Sequence, residues 1–206
     1  MTDQIDLWCG EFGNQYHKRN VAVAVARKVG LHNLWTWVFN FIDDEKPMNI
    51  LEIGAGTGAN LDLIANLRID DRLNAVEVNK EAAFQLFNNR NVMRVWNCSW
   101  QDARIESFKH DKYDIVFTSG VLIHVHPNDR IEFMQKIVDV GSKWIVAIEY
   151  MSNETKEILY RGEKSALWSG DYRMHYENFG LECVGEKYFS KDSGLDDVKA
   201  IIMRKK

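Results

Sequence analysis

Leu51-Glu52-Ile53-Gly54-Ala55-Gly56-Thr57-Gly58-Ala59-Asn60 runs from a short apolar stretch through three alternating glycines into a helix-patterned segment. Glycines at 54, 56 and 58 let the backbone turn tightly and approach a ligand, and the helix start that follows offers N–H groups with no intrahelical partner. Glu77 follows Gly54 by 23 residues, close to the separation at which an acid receives both hydroxyls of a ribose in nucleotide-binding α/β folds. A pyrophosphate cradle would read Gly-x-Gly-x-x-Gly, with the third glycine one residue later. Glu52, just ahead of the loop, repels a diphosphate and complements an ammonium. Taken alone, the three glycines are equally the chemistry of a tight turn, and Glu77 that of a solvated strand end.

A second group of residues handles protons. His124 and His126 follow an apolar segment, Tyr113 to Val121, and a histidine is the side chain best suited to remove a proton at neutral pH. Glu149 and Tyr150 close another apolar run and are expected to open into the same cleft. His124-x-His126 with Glu149 lacks a clear third ligand for a metal, and no metal is expected. Arg161, Asp171, Arg173, His175 and Tyr176 put charged and aromatic groups into a polar stretch, where an acidic, hydroxyl-rich substrate suits the two arginines and surface ion pairs are the plain alternative.

These residues need a frame. From about residue 49 onward, β-branched runs alternate with helical patterns, which predicts a doubly wound α/β fold: a mostly parallel, seven-stranded sheet with helices on both faces and a closing antiparallel hairpin. The predicted strands are 49–53, 73–77, 92–97, 113–118 and 143–149, and the predicted helices 59–67, 80–88 and 129–140. In the last helix Ile131, Met134, Ile137 and Val138 are expected to face the sheet. Residues 150–176 read as a long connection, with strand-like runs at 181–188 and 198–203 forming the hairpin. Ahead of the sheet, Trp8, Phe12 and Tyr16 recur every four residues, and Leu31 to Ile42 continue a helical pattern; 21–26 reads as helix. Only Pro47 and Pro127 interrupt the chain, so a single domain is expected, with 1–45 as an N-terminal helical part and 46–206 as the sheet.

Bulk properties narrow the partners. The 206 residues carry a net charge of −4, with basic residues scattered apart from Met203-Arg204-Lys205-Lys206, so nucleic acid is not an expected partner. The three cysteines, Cys9, Cys98 and Cys183, are far apart and read as reduced thiols. Asp3 and Asp6 stand where a leader needs basic residues, and no apolar run reaches the roughly 18 residues of a spanning helix, so a soluble, cytoplasmic chain is expected. The oligomeric state is left open.

Glu52-x-Gly54-x-Gly56-x-Gly58 with an acid after the second strand resembles the class I S-adenosylmethionine-dependent methyltransferases. The resemblance implies S-adenosylmethionine as cofactor and S-adenosylhomocysteine as product, bound by Glu52, Gly54, Gly56, Gly58 and Glu77. It implies that Cys98-Ser99-Trp100-Gln101-Asp102 meets adenine, through Ser99, Trp100 or Asp102, and that the segment through Ser119 lines the methionine end. His124 is then the first candidate for base and His126 a second; Glu149 and Tyr150 would orient the acceptor. Trp8 to Asn20 would form a lid bringing Tyr16 or Arg19 over the cofactor, with Arg19 on the methionine carboxylate. A narrower resemblance, to the pseudaminic acid biosynthesis-associated methylases, lies in Trp8 to Asn20, Tyr160-Arg161-Gly162 and Leu167 to Tyr172; it implies O- or N-methylation of an acidic or amino sugar. Two other classes stay open: a nucleotide-dependent oxidoreductase, which the early third glycine and Glu52 argue against, and a non-catalytic cofactor-binding partner.

Overall fold

In the computed structural model, which describes residues 3–21, 24–42, 46–102, 112–160 and 166–206, the alternating runs become strands in which successive side chains serve opposite layers. β1 (Asn49–Ile53) sends Leu51 and Ile53 to one face and Ile50 to the other, and every one of these is buried. α4 (Ala59–Leu67), β2 (Arg72–Val76), α5 (Lys80–Phe87), β3 (Val92–Trp96), β4 (Tyr113–Ser119), α6 (Pro127–Val140) and β5 (Gly141–Glu149) continue the alternation. Three helices precede them: α1 (Asp3–Cys9), α2 (Glu11–Val21) and α3 (Ala24–Phe41). After β5 come the short strands β6 (Lys156–Glu157) and β7 (Trp168–Ser169), α7 (Tyr172–Asn178), β8 (Glu182–Phe189) and β9 (Val198–Arg204).

The seven-stranded sheet has the order β3-β2-β1-β4-β5-β9-β8. β3 through β5 are parallel neighbours, and β9 joins β5 antiparallel, with β8 antiparallel to β9 at the edge. This is the expected doubly wound α/β sheet with its closing hairpin. The order turns around between β1 and β4, and the carboxyl ends of strands at such a switch point bound the crevice where open α/β sheets bind ligands. Leu34, Trp35 and Val38 of α3, with Leu61 and Ile64 of α4, cover one face; Phe133, Met134 and Ile137 of α6, with Tyr172 and Tyr176 of α7, cover the other. No helix among the described residues is long and apolar enough to cross a membrane.

Three readings change. Ile131 is 44% exposed, whereas Arg130 and Phe133 are each 1% exposed. Met134, Ile137 and Val138 of α6 face inward as expected, but the first turn of the stripe is held by Arg130 in place of Ile131: Arg130 donates to the Val125 carbonyl oxygen at 3.3 Å and lies 5.1 Å over the Tyr172 ring. Residues 150–176 are not one long connection, since they hold the β6–β7 hairpin and the start of α7, whose Tyr172 and Tyr176 are fully buried one turn apart. Trp8 and Tyr16 stand on two helices broken at Gly10, although their rings still meet at 5.2 Å. Of the predicted helix 21–26, Val21 ends α2 and 24–26 begin α3, while 22–23 lie outside the described residues.

Candidate active site

β1 ends in a turn that only glycine accepts readily. Gly54 sits at φ +74°, and a Cβ there would come within 2.5 Å of Val121 Cγ2. The N–H groups of Gly54 and Ala55 both donate to the Val76 carbonyl oxygen, at 2.8 and 3.1 Å, which folds the loop over the end of β2. Gly56, at φ +56°, turns its N–H onto Glu77 Oε2 at 2.7 Å, and Glu77 Oε1 accepts the N–H of Asn79 at 2.7 Å. Glu77 is 5% exposed and lines the cleft. Burial pushes its carboxyl above the usual range, and the backbone N–H groups of Asn79 and Gly56 pull it back. Substituting Gly54 by alanine is expected to weaken S-adenosylhomocysteine binding by at least about tenfold in calorimetry, since positive φ alone costs a Cβ-bearing residue about 1–2 kcal/mol.

Glu52, beneath the loop, is 1% exposed. Its Oε1 accepts Asn60 Nδ2 at 2.7 Å, and Asn60 Oδ1 accepts Trp35 Nε1 at 3.1 Å, so α3 and α4 together fix the carboxylate. Its Oε2 is buried with no partner, and the residue lines the cleft. Burial, with the charge of Glu77 adding to it, holds the carboxyl well above its ordinary pKa. An unsatisfied buried acid at this place fits a cationic ligand group, which is what the ammonium and sulfonium of S-adenosylmethionine supply.

On the other side of the switch point Ser119, Gly120 and Val121 line the cleft, and a single 3-10 turn, Leu122–His124, follows. His124 Nδ1 lies 2.7 Å from the Ala166 carbonyl oxygen. A carbonyl only accepts, so Nδ1 carries the proton and Nε2 the lone pair. Burial lowers the imidazole to a pKa of about 4 against the pull of that carbonyl, so the ring is neutral at physiological pH. His124 packs on Trp8 at 4.3 Å and on Tyr160 at 5.7 Å between ring centroids. His126 also lines the cleft, but it is the N-cap of α6: its Nδ1 accepts the Asn128 N–H at 3.2 Å.

α1 and α2 lie across this cleft. Gln4, Ile5, Trp8, Tyr16 and His17 line it, and the His17 ring stands 3.3 Å from where a Cβ on Gly56 would be. They are tied to α5 by Asn79, whose Nδ2 donates to the Trp8 carbonyl oxygen at 3.1 Å and to Asn14 Oδ1 at 2.7 Å, while its Oδ1 caps Ala82 at 3.0 Å. Asn14 in turn donates to Glu81 at 2.8 Å. Asn79→Ala is expected to speed hydrogen exchange across residues 3–21 and to cost about 1 kcal/mol in thermal unfolding through the lost α5 cap.

The remaining residues fall into two groups. Ser99 and Trp100 line the cleft, Trp100 resting on Phe133 at 5.2 Å, whereas Asp102 does not line it and turns back to donate its N–H to the Ser99 carbonyl oxygen at 3.1 Å. Arg19 does not line it either; its Nε and Nη2 are buried without a partner, and it is Arg27 that reaches the cleft. Glu149 is fully buried under the Leu122–His124 turn, and Tyr150 packs between the two core layers, its hydroxyl pKa pushed upward by burial. Asp171 caps α7 by accepting the Met174 N–H at 2.9 Å, and Arg173 pairs on the surface with Glu177 and Glu186. His175 belongs to the same helix, and none of these three lines the cleft. Arg161 lies outside the described residues. Sequence reasoning passed over His17, Arg27, Asn60, Asn79 and Asp129; only Asn60, directly behind the glycines, carried a local signal.

The cleft encloses about 210 Å³. Among the described residues no group of three metal-ligating side chains occurs. Residues 50–142 match the model of a methyltransferase domain family. No match is found among curated proteins. In fold, the chain is similar to 1,6-didemethyltoxoflavin N1-methyltransferase of Burkholderia thailandensis, solved with 1,6-didemethyltoxoflavin and S-adenosylhomocysteine, at 17% identity and a TM-score of 0.64 over 95% of this chain and 85% of that one. It is also similar to magnesium protoporphyrin IX methyltransferase of Synechocystis PCC 6803, solved with S-adenosylhomocysteine, at 10% identity and a TM-score of 0.71 over 98% and 97%. At such identities the likeness is one of fold, and the matched methyltransferase domain spans less than half of the chain, the part that holds the glycine loop and its two buried acids.

Proposed function

We propose that the protein methylates an oxygen or nitrogen of a polar small molecule, with His124 as the base. The observation that carries this reading is that Glu77, the unpartnered Glu52 Oε2 and the neutral His124 all line one cleft. When bound, S-adenosylmethionine supplies an electrophilic methyl on sulfur. Glu77 would hold its ribose diol, Glu52 its ammonium, Ser99 and Trp100 its adenine. The chain's own part is to hold the acceptor in line, exclude water and take up a proton. His124 Nε2, the free lone pair of a ring pinned at Nδ1, receives that proton, and the Ala166 carbonyl oxygen accepts from the cationic ring that results.

His126 and Asp129 line the cleft near this base, and Arg27 is the arginine that lines it. That balance favours a hydroxyl- or amine-bearing acceptor, such as an amino sugar, over a strongly acidic one. The N-terminal helices α1 and α2 act as a lid over the cleft while α3 packs on the sheet, and the net charge of −4 speaks against nucleic acid. Because none of the three cysteines forms a disulfide, a reducing cytoplasm suits the chain. Calorimetric titration with S-adenosylhomocysteine against a nicotinamide dinucleotide, followed by labelled S-adenosylmethionine with a panel of amino and polyhydroxy compounds, tests the reading. Binding of the nicotinamide compound alone would restore the oxidoreductase, and tight S-adenosylhomocysteine binding with no turnover on any acceptor would make the chain a binding partner.

A further inference from the structure

Glu149 ends β5, fully buried and outside the cleft lining, so it cannot touch an acceptor. What it does touch is the backbone that leads into His124. Its Oε1 accepts the Val121 N–H at 3.1 Å, and the N–H groups of Leu122 and Ile123 also stabilise its charge. Those three residues immediately precede His124. The other oxygen, Oε2, is buried without a partner.

The Thr118 hydroxyl on β4 also stabilises the Glu149 charge, and the titratable and charged groups that face this carboxyl come from two further elements. From α6 comes Arg130, buried, with Nε unpartnered and its charge coupled to Glu149. From α7 come Tyr172, whose hydroxyl donates to the Trp168 carbonyl oxygen at 2.9 Å, and Tyr176, whose hydroxyl is buried and unpartnered; both feel the charge of Glu149.

We propose that Glu149 is a positioning residue: as a carboxylate it gathers the N–H groups of Val121, Leu122 and Ile123 and so fixes the turn on which His124 stands, and when neutral it releases that turn. An ionised carboxyl accepts at both oxygens, whereas the neutral acid turns one of them into an O–H donor set among other donors. The N–H groups of Val121, Leu122 and Ile123 and the Thr118 hydroxyl favour the ionised form and burial opposes it, so the two forms lie close in free energy. The carboxyl is accordingly pushed up to about 7, within the range a cell spans. The catalytic meaning of this switch rests on His124 being the base; the positional claim does not.

The test needs no acceptor. In full-length protein carrying isotope-labelled histidine, the His124 ring signals, assigned with His124→Asn, are followed from about pH 8.5 to about pH 5.5, a window in which the ring itself stays neutral. The expected result is an inflection near neutrality with the Nδ1–H tautomer retained throughout. Glu149→Gln should remove the inflection and leave signals like those of wild type at low pH, and Glu149→Asp should restore a titrating step. Both variants should bind S-adenosylhomocysteine with nearly wild-type affinity. Flat wild-type signals, or an unchanged inflection in Glu149→Gln, overturn the proposal. If Glu149→Gln does not fold, Glu149→Asp decides: a displaced midpoint supports the switch, and a midpoint identical to wild type sinks it. A wild-type chain that fails to bind S-adenosylhomocysteine would overturn the functional reading and leave the histidine titration interpretable.

Discussion

Glu77→Ala should weaken S-adenosylhomocysteine binding by roughly 10²- to 10⁴-fold while leaving the chain folded. Two losses combine. A ribose diol would no longer find a charged acceptor, and hydrogen bonds to charged groups are worth about 1.5–3 kcal/mol each, or roughly one to two decades of affinity apiece. The loop itself would also loosen, because Gly56 N–H at 2.7 Å and Asn79 N–H at 2.7 Å both rely on this carboxylate. Stability should change far less than binding. Burial raises the Glu77 pKa, so the folded chain holds this proton more tightly than the unfolded one, and the group's contribution to stability is lost as pH rises through its folded value. The alanine variant therefore sheds a buried acid as well as two hydrogen bonds. Glu77→Gln keeps one acceptor oxygen and should fall between the two in calorimetry. Wild-type affinity in Glu77→Ala, with circular dichroism unchanged, would remove the ribose contact from the model of the site.

The glycine loop and its two acids were legible in the sequence because their work is local: a strand end, a turn and a helix start lie within ten residues, and Glu77 sits at a spacing the fold dictates. The sheet was legible for a similar reason, since strands buried on both faces read as apolar runs whatever they pack against. What escaped depends on contacts between distant segments. Asn79 looks like a helix cap and is one, but its other hydrogen bonds reach the Trp8 carbonyl oxygen and Asn14, more than sixty residues away. Arg130 reads as a surface residue until the Val125 carbonyl oxygen and the Tyr172 ring give it an interior place, and this displaces Ile131 to solvent. Asp171 and Arg173 have charges that suit a substrate, yet the start of α7 takes one and Glu177 and Glu186 the other. Composition cannot separate such uses, because a charge at a helix end and a charge at a ligand have the same residue type.

With any acceptor that the wild type methylates, His124→Asn should lower kcat by roughly 10²- to 10⁴-fold, the range in which a positioned base contributes. The S-adenosylhomocysteine Kd should stay near the wild-type value. Asparagine keeps an N–H for the Ala166 carbonyl oxygen, so the variant removes the lone pair on Nε2 more than the packing. The same substitution has a signature in stability. His124 is lowered to about 4 in the folded chain, so between that value and the ordinary 6.5 the unfolded chain binds a proton that the folded one does not. Its stabilising contribution is therefore present above pH 6.5 and lost as pH falls toward 4, by at most about 3 kcal/mol. Glu149 works in the opposite direction: raised to about 7, it adds stability as pH falls from there toward its ordinary 4.5. The two slopes, read by denaturant unfolding, oppose one another in the wild type, where the raised carboxyls of Glu52 and Glu77 add to the Glu149 side. Removing only the histidine exposes the Glu149 term, so His124→Asn should gain stability relative to wild type as pH is lowered from 7 to 5. Parallel curves for the two proteins would mean that the ring titrates as it does in water, and a ring so solvated could not serve as a neutral base held against Ala166.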